Sequence, residues 1–365
     1  MTEHFPGYSA IWHSDGKRLA GRQPAAVLQA GDAAALASLP AQLADLLKPG
    51  QQAVGLLAYG TSGPATVQIF DQAAVHKLPM DQPADLTGHP FALSAPFSSD
   101  MEQTTYMKAL QQIRDYLRAG DCYQVNFARR FSTRFRGDPL AAWQTLARQH
   151  PAPHSSFFRL PNGDCVFGVS PERFVQIRNR RIVSEPIKGS RPRGIDPQQD
   201  MALGDSLLGS PKDRAENLMI VDLLRNDLGK VCVAGSVQAA PLFELRKFSN
   251  VQHLVSTVSG TLREEVSPLA ALLSCFPGGS ITGAPKKRAM EIIAELEPVP
   301  RGYYCGTQFS LDSEGNLESN ILIRTFQTQG DQIYCHGGGG IVIDSDPLQE
   351  YQESLFKIEK LMSSL

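Results

Sequence analysis

The sequence predicts an α+β protein, on three observations. Apolar spacing and end signals indicate four helices in residues 100–365. Segments rich in β-forming residues lie between these helices. Strand and helix signals do not alternate regularly, which favours α+β over a doubly wound parallel sheet.

The first clear helix lies just after residue 100 and is followed by a strand. Apolar residues recur there at helical spacing, at Tyr106, Leu110, Ile113 and Leu117. Gly120 is suited to end the helix, and the alternating segment 124–131 predicts the strand.

The strongest helix start is at Ser210. Its hydroxyl suits an N-cap, Pro211 suits the first turn, and Asp213 completes a capping-box-like pattern. The run 218–224 supplies an apolar face, and Gly229 is placed to end the helix.

Two helices are predicted nearer the C-terminus, one from about Pro285 to just before Pro298 and one from Asp346-Pro347 onward. The β-rich segments are 174–183, 251–262, 321–326 and 332–343. Motif signals become clear only after residue 98. We therefore predict a short N-terminal segment, 1–98, and a core, 99–365.

Charge and composition exclude several classes of protein. The 35 Lys and Arg residues against 37 Asp and Glu residues give a net charge of −2, which argues against nucleic-acid binding and a polybasic membrane anchor. Hydrophobic residues at 42% argue against disorder, and no apolar run is long enough to span a membrane.

Targeting and cysteine patterns predict a cytoplasmic protein. Residues 1–7 have no basic start followed by an apolar stretch, so a secretory signal is not expected. The six cysteines contain no Cys-x-x-Cys pair, so a zinc ribbon or a thioredoxin-like motif is not indicated. We expect reduced and mostly buried thiols.

Common catalytic motifs are absent from the sequence. Residues 278–283 match the first half of a P-loop, but Ala284-Pro285 follows where Lys-Ser/Thr is required. No serine-hydrolase elbow, no His-Glu-x-x-His and no dinucleotide fingerprint is present.

The remaining candidates are charged residues near glycine-rich turns: Glu172, Lys188, Glu216, His253, Glu350, Glu353 and the glycines 337–340. Together they suggest an anionic ligand and Mg²⁺.

Each of these residues also has a purely structural interpretation. Glu350, Glu353 and Lys357 could form a solvated helix face, Glu216 could pair with Arg214 or Arg225, and His253 could be a core histidine. Lys188 could be exposed and the glycines could form a flexible loop, so both interpretations stay open on spacing alone.

Four longer motifs resemble one family. The segments are Ser210–Gly229, Phe276–Lys286, Ile323–Thr325 and Gly338–Pro347. They are similar, in this order, to the motifs of chorismate-utilising enzymes, which include anthranilate, aminodeoxychorismate, isochorismate and salicylate synthases. The resemblance covers about residues 100–365 and implies antiparallel sheets stacked as a β-sandwich with helices packed outside.

Two positions favour one branch of that family. Gln124 stands where isochorismate and salicylate synthases carry a lysine that activates water, so water is not expected to be the nucleophile. Pro186-Ile-Lys-Gly-Ser190 resembles the aminodeoxychorismate synthase pattern, whereas anthranilate synthases carry Pro-Ile-Ala-Gly-Thr. Ser190 replaces the usual Thr and keeps the hydroxyl. The short N-terminal segment puts a tryptophan-type effector pocket in doubt.

The resemblance implies roles for individual residues. The catalytic residues would be Lys188 as nucleophile, Glu172 as acid and His253 near the leaving hydroxyl. The substrate-binding residues would be Gly189, Ser190, Ser280, Tyr304 (assisting Arg324), Arg324, Gly338, Gly339, Gly340, Lys357 and Gln124. The Mg²⁺ ligands would be Glu216, Glu353, Glu350 and Asp213.

The expected reaction is amination of chorismate at C4, with ammonia supplied by a separate glutamine amidotransferase subunit. One alternative is a 2-amino product, anthranilate or aminodeoxyisochorismate. The other is a catalytically silent subunit that binds chorismate.

Overall fold

The computed structural model describes residues 8–14, 17–78, 90–248 and 251–365. Residues 1–7, searched above for a targeting signal, lie outside the described residues. In chain order the strands are β1 (Ala10–Ser14), β2 (Lys17–Gly21), β3 (Ala26–Ala30), β4 (Gln52–Leu57), β5 (Ala65–Phe70), β6 (Val75–Leu78), β7 (Ala92–Leu93), β8 (Ser98–Ser99), β9 (Gln124–Arg136), β10 (His154–Arg159), β11 (Cys165–Ser170), β12 (Arg173–Arg178), β13 (Arg181–Ser184), β14 (Ile187–Pro192), β15 (Gln238–Ala239), β16 (Glu244–Lys247), β17 (Val251–Val255), β18 (Val258–Thr261), β19 (Gly283–Ala284), β20 (Thr307–Asp312), β21 (Leu317–Asn320), β22 (Thr325–Gln329) and β23 (Gln332–Ile341). The α-helices are α1 (Ala33–Leu46), α2 (Gln103–Ala119), α3 (Pro139–Gln149), α4 (Pro197–Leu208), α5 (Pro211–Gly229), α6 (Pro268–Cys275), α7 (Lys286–Leu296) and α8 (Pro347–Met362).

The described strands form three antiparallel sheets. The first sheet has the order β19-β9-β23-β22-β11-β10-β1-β2-β6, with β7 and β8 also on β9. The second sheet has the order β15-β18-β13-β12-β21-β20-β4-β5-β3, and the small sheet has the order β14-β17-β16. The predicted α+β class with antiparallel sheets is confirmed.

The first and second sheets pack face to face. Trp12 of β1 stacks on Phe70 of β5 with ring centroids 5.7 Å apart. Phe158 and Val166 of the first sheet share this buried cluster with residues of β4 and β5. Burial of these large apolar faces stabilises the sandwich.

The helices pack on the outside of the sandwich. Trp143 of α3 is buried with residues of β10 and β11, and Ile220 of α5 is buried with residues of the second sheet. Helix α8 lies on β23, where a Cβ at Gly337 would collide with the carbonyl oxygen of Ser354. Glycine at position 337 therefore lets α8 approach the sheet.

The four predicted helices are confirmed as α2, α5, α7 and α8. Gly120 ends α2 in the left-handed region, with φ of 80°. Ser210 caps α5 by accepting from the backbone N–H of Asp213, and Asp346 caps α8 by accepting from that of Gln349.

The N-terminal residues pair with strands of the predicted core. Strand β1 pairs with β10, and β4 pairs with β20. In both larger sheets, strands from before residue 98 are therefore hydrogen-bonded to strands from after it. The predicted boundary at residue 98 stays a prediction.

Two other sequence expectations have structural counterparts. All six cysteines are buried and none forms a disulfide, which confirms the expected free, buried thiols. Among the described residues, no helix is both long and apolar enough to cross a membrane.

Candidate active site

Lys188 lies in a bulge at the start of β14. Ile187 pairs with Val255 and Ser190 pairs with His253, so two residues of β14 face one residue of β17. The second bulge residue, Gly189, has φ of 80°. A bulge re-aims a side chain, and this one sets the direction of Lys188.

Close packing requires glycine at position 189. A Cβ there would lie 2.9 Å from Cβ of Asp213 and 2.8 Å from Cδ1 of Leu207. The bulge therefore sits directly against α4 and the first turn of α5, which also carries Glu216 one turn further along.

Lys188 is partly buried among charged groups from several elements. Burial lowers the pKa of its amine, and the Lys357 charge lowers that pKa further. The carboxylates of Glu216, Glu172 and Glu353 act in the opposite direction, but the net shift is downward. Among the described residues, Nζ of Lys188 has no direct hydrogen bond or ion pair. A neutral amine free of direct partners is the form that acts as a nucleophile.

Glu172 is a buried carboxyl just after β11. Its backbone N–H donates to Oγ of Ser170, and its backbone oxygen accepts from the N–H of Ile321. Burial raises the pKa of the Glu172 carboxyl, while a 2.8 Å hydrogen bond from Ser280 and the Lys188 charge partly oppose that shift. Lys188 and Glu172 thus have pKa values shifted toward each other, as expected of a base–acid pair.

Replacing Ser280 by alanine tests the electrostatic control of Glu172. The Ser280 hydroxyl stabilises the ionised carboxylate, so its loss raises the Glu172 pKa further. A step that needs protonated Glu172 is lost as pH rises through that pKa, so the alkaline limb of the kcat–pH profile should move to higher pH. Steady-state kinetics across pH measure the shift. The control is Ser206→Ala on the exposed face of α4, which should leave the limb in place. A shift of the limb to lower pH in Ser280→Ala would contradict this account.

His253 is partly buried beside the bulge. Its Nδ1 lies 2.7 Å from Oγ of Ser190, and the ring of Phe248 lies 5.5 Å away between centroids. Burial and the Arg324 charge lower the pKa of His253, while an interaction with the Gly189 backbone opposes this. His253 is therefore neutral near pH 7, with Nδ1 oriented by Ser190.

Glycines 337–340 are part of strand β23 and do not form a flexible loop. The backbone N–H of Ala128, which is opposite Gly338, donates to Oε1 of Glu297, 2.9 Å away. The N–H of Asn126, which is opposite Gly340, donates to the oxygen of Thr282. These are non-hydrogen-bonded pairs, so the N–H groups of Gly338 and Gly340 also point away from β9.

That edge of β23 lies beyond its ladder with β22. The paired residues of the ladder end at Phe326 and Cys335, and Arg324 has φ of 52° just before β22. The sheet therefore opens here, with glycine N–H donors along one side. The oxygen of Gly338 accepts from Nζ of Lys357 at 3.0 Å.

Different side chains pack against the two faces of β23. A Cβ at Gly339 would lie 3.2 Å from Oε2 of Glu350 and from Nζ of Lys357. A Cβ at Gly340 would lie 2.6 Å from Nε2 of Gln124, whose amide is buried without a partner among the described residues. The absence of side chains lets both groups approach the strand.

Arg324 and Tyr304 occupy different surroundings. The side chain of Arg324 is exposed and, among the described residues, makes no direct hydrogen bond or ion pair. Tyr304 is buried and stacks on His336 with centroids 4.8 Å apart. The guanidinium placed 5.7 Å from the Tyr304 ring centroid is that of Arg301. Assistance of Arg324 by Tyr304 stays a prediction.

The predicted metal ligands differ in the partners that their carboxylates already have. Glu350 accepts a 2.7 Å hydrogen bond from Ser345, and the Glu353 charge adds to the burial that raises the Glu350 pKa. Glu353 pairs with Lys357 at 2.6 Å. Asp213 pairs with Arg191 at 3.0 Å, so a cation already occupies its carboxylate.

Among the described residues, no three His, Cys, Asp or Glu side chains are preassembled around one point as a metal site. Glu216, Glu350 and Glu353 nevertheless offer hard oxygen donors on two helices, and the repulsion between Glu350 and Glu353 is relieved by a cation. This donor chemistry fits Mg²⁺, which keeps several waters and takes few carboxylates.

Residues that the sequence did not single out also shape the site. Arg301 pairs with Glu297 at 2.7 Å and donates to the backbone oxygens of Asn126 and Ile281. It thereby connects β9 to the turn that carries Ser280. The spacing of four residues between Glu297 and Arg301 is the only sequence signal for this pair.

The site combines an amine of lowered pKa, a carboxyl of raised pKa, outward-facing N–H donors and clustered carboxylates on an antiparallel sandwich. This combination is suited to a small anionic ligand. Residues 15–363 match the chorismate binding enzyme family, and the chain belongs to that family. The predicted family membership is confirmed.

Three relatives illustrate the similarity. Aminodeoxychorismate synthase component 1 of Klebsiella aerogenes is 48% identical over 275 residues, which cover 75% of this chain and 61% of that protein. Anthranilate synthase component 1 of Geobacillus stearothermophilus is 40% identical over 78% of this chain and 56% of that protein. The structure of MenF, the menaquinone-specific isochorismate synthase of Escherichia coli, has a TM-score of 0.78 at 20% identity, covering 98% of this chain and 88% of that chain. The matched region thus spans about three-fifths of the curated relatives' length, and the solved structure supports the fold alone.

Proposed function

We propose that this chain is the large subunit of an aminodeoxychorismate synthase. It converts chorismate and ammonia into 4-amino-4-deoxychorismate, for p-aminobenzoate and folate synthesis in the cytoplasm. The observation that carries the proposal is Lys188, an amine of lowered pKa in a bulge within electrostatic reach of Glu172. The 48% identity to the Klebsiella aerogenes protein supports the same activity.

The proposed first step is attack of neutral Lys188 on the ring. Nζ bonds to C2, the ring double bonds shift, and the C4–O bond breaks. Glu172, kept protonated by burial, gives its proton to the departing hydroxyl, which leaves as water. The proton that Nζ loses on forming the new bond then returns to Glu172.

The second step replaces lysine by ammonia. Ammonia bonds to C4, the double bonds shift back, and the C2–N bond to Lys188 breaks. A proton lost by the entering ammonia balances the departure of the amine. Lys188 is restored in neutral form, ready for the next turnover.

Other residues bind and orient the substrate. The exposed guanidinium of Arg324 is suited to a bidentate contact with a carboxylate. The N–H groups of Gly338 and Gly340 donate to substrate oxygens, and Lys357 adds positive charge. His253, oriented by Ser190, holds a hydroxyl near the leaving group.

We propose Glu216, Glu353 and Glu350 as the residues that hold Mg²⁺. When bound, the ion supplies positive charge that offsets the substrate carboxylate and orients the ring. Asp213 remains a weaker candidate because Arg191 already neutralises it.

Ammonia is proposed to come from a separate glutamine amidotransferase subunit. The name component 1 of the Klebsiella aerogenes and Escherichia coli relatives supports a second component. Glutamine alone should then not support turnover by the purified chain, whereas ammonium should.

The deciding experiment incubates the purified chain with chorismate, Mg²⁺ and ammonium at mildly alkaline pH, with aminodeoxychorismate lyase added. Chromatography of the aromatic products separates the alternatives. p-Aminobenzoate formed only with the lyase supports amination at C4. Anthranilate would indicate a 2-amino product, and unchanged chorismate would indicate the silent subunit.

Lys357→Gln is expected to change metal and substrate binding in opposite directions. Nζ of Lys357 lies 2.6 Å from Oε1 of Glu353, so its loss frees that carboxylate. An exposed ion pair is worth about 0.2–1 kcal/mol, so Mg²⁺ should bind up to about fivefold more tightly. Chorismate should bind more weakly, because a dianion loses a nearby cation. Calorimetric titration of each ligand measures both effects, and Lys360→Gln on the same helix is the control. Weaker Mg²⁺ binding by Lys357→Gln would contradict the prediction.

A further inference from the structure

A chain of ion pairs connects the second sheet to the small sheet. Nε of Arg173 lies 2.8 Å from Oε1 of Glu318, and Nη1 of Arg173 lies 2.7 Å from Oε2 of Glu185. The other oxygen of Glu185 lies 2.7 Å from Nη1 of Arg246. Glu244 then pairs with Nε of Arg246 at the exposed end. Glu185 therefore uses its two oxygens to join two guanidinium groups from different sheets.

Three of these paired residues lie close to a candidate catalytic residue in sequence or across a strand ladder. Arg173 directly follows Glu172 at the start of β12. Glu185 lies between β13 and β14, three residues before Lys188. Arg246 of β16 is directly opposite His253 of β17.

Most side chains in this series of ion pairs are partly buried, so their contacts should be stronger than those of exposed ion pairs. The side chain of Glu318 is 7% exposed and that of Glu185 is 17% exposed, whereas that of Glu244 is 45% exposed. Partly desolvated, charge-assisted hydrogen bonds are stronger and better oriented than pairs in water. The contacts of Glu318 and Glu185 are therefore expected to be the strongest of the series, and that of Glu244 the weakest.

In the described part of the chain, no strand ladder joins the small sheet to the larger sheets. Lys188 lies on the small sheet, and Glu172 lies at the edge of the larger ones. The short connections 185–186 and 256–257 join the small sheet to β13 and β18 of the second sheet, and the N–H of Ser256 donates to the oxygen of Pro186. The Glu185 bridge adds side-chain contacts to these connections next to Lys188.

We propose that Glu185 is a positioning residue that fixes Lys188 relative to Glu172 by holding Arg173 and Arg246 together. This inference rests on the proposed function, since it takes Lys188 as the nucleophile and Glu172 as the acid. Glu185 itself touches neither the substrate nor the reacting atoms.

Glu185→Gln keeps the shape of the side chain and removes its charge. A misplacement of about 1 Å costs on the order of 100-fold in rate, so we expect kcat to fall by about 10- to 100-fold. KM for chorismate should stay within about twofold, because Arg324, Lys357 and the glycines of β23 are untouched.

A second readout needs no turnover. Competitive labelling with acetic anhydride across pH, followed by peptide mass spectrometry, reports the pKa of Lys188. Direct loss of a negative charge lowers the pKa of a lysine, whereas a loosened and better hydrated Lys188 has a higher pKa. A rise in Glu185→Gln therefore identifies positioning and separates it from direct electrostatics.

Glu244→Gln is the matched control, because it removes the same charge from the same arginine at the exposed end of the chain. It should leave kcat and the Lys188 pKa near their wild-type values. Arg246→Gln breaks the bridge from the other side and should reproduce Glu185→Gln, so it replaces that variant if the latter does not fold.

Unchanged kcat and Lys188 pKa in a folded Glu185→Gln or Arg246→Gln variant would overturn the inference, as would equal effects in Glu244→Gln. Failure of the proposed function is seen separately. In that case the wild-type chain makes no 4-amino product, while the labelling experiment still reports how Glu185 affects Lys188.

Discussion

Lys188→Ala is expected to abolish 4-amino-4-deoxychorismate formation, with a loss of about 10³-fold or more in kcat/KM. Without the amine, no nucleophile attached to the protein reaches C2, and ammonia has no C2–N bond to displace. The bulge should survive because its geometry depends on Gly189 and the Ile187 and Ser190 pairs. Coupled formation of p-aminobenzoate measures the loss.

Lys188→Arg separates charge from nucleophilicity. Arginine keeps a positive charge among Glu172, Glu216 and Glu353 but stays protonated at any working pH. If Lys188 acts as a nucleophile, both variants lose activity alike. Substantial activity in Lys188→Arg alone would mean that only the charge is needed.

The control for both variants is Lys287→Ala, which removes an exposed lysine from α7. Its activity should equal that of the wild type. Full 4-amino product from Lys188→Ala would show that the covalent step is wrong and that the reaction needs neither the amine of Lys188 nor its charge.

Two of the four predicted helices, α5 and α8, begin at strong local signals. Ser210 with Pro211 marks the start of α5, and Asp346 marks that of α8, because capping bonds depend on residues close in sequence. Helices α1, α3, α4 and α6 were not predicted, although each has a side-chain N-cap of the same kind. A capping residue without a recognised apolar repeat after it was not enough to indicate a helix.

Strand boundaries depend on features that the sequence hides. The segment 174–183 is a hairpin of β12 and β13, whose turn has positive φ at Asn179 and Arg180 rather than at glycine. Residues 321–324 precede β22 because the chain turns at Arg324. Asn179 is a residue type that adopts positive φ readily, whereas Arg324 has no such local preference, so the second turn has no sequence signal.

The sequence predicted which residues belong to the candidate site, but it did not predict how they are arranged. Lys188 and Gly189 could be chosen from a motif, but the bulge exists only through pairing with β17. The Arg191 partner of Asp213 and the Glu185 bridge join residues far apart in sequence. Such contacts have no local pattern that a single sequence could display.

Glu172→Gln is the other change for which we expect a large effect. Glutamine keeps the oxygen that accepts from Ser280 but cannot give a proton to the leaving hydroxyl. Loss of a general acid costs about 10²–10⁴-fold, so kcat should fall within that range while chorismate affinity stays nearly constant.

The pH profile identifies the acid. In the wild type, we expect activity to rise as pH passes the lowered pKa of Lys188 and to fall as pH passes the raised pKa of Glu172. Glu172→Gln should keep the rising limb and lose the falling one. A falling limb that persists unchanged in the variant would assign it to another group.

Stability should change in the direction opposite to activity. The folded-state pKa of Glu172 is raised above its unfolded value, so the folded state binds more protons in that window and stability falls as pH rises through it. Glu172→Gln removes this cost, and its unfolding midpoint should exceed that of the wild type at pH 8. The difference should vanish as pH falls below the ordinary glutamate pKa of about 4.3, because the Glu172 carboxyl is then protonated in both the folded and the unfolded state.

Glu264→Gln, an exposed change of the same kind, should show neither effect. A variant that is both less active and less stable would mean that Glu172 supports the fold rather than the chemistry, because a buried acid kept for proton transfer is retained at the expense of stability.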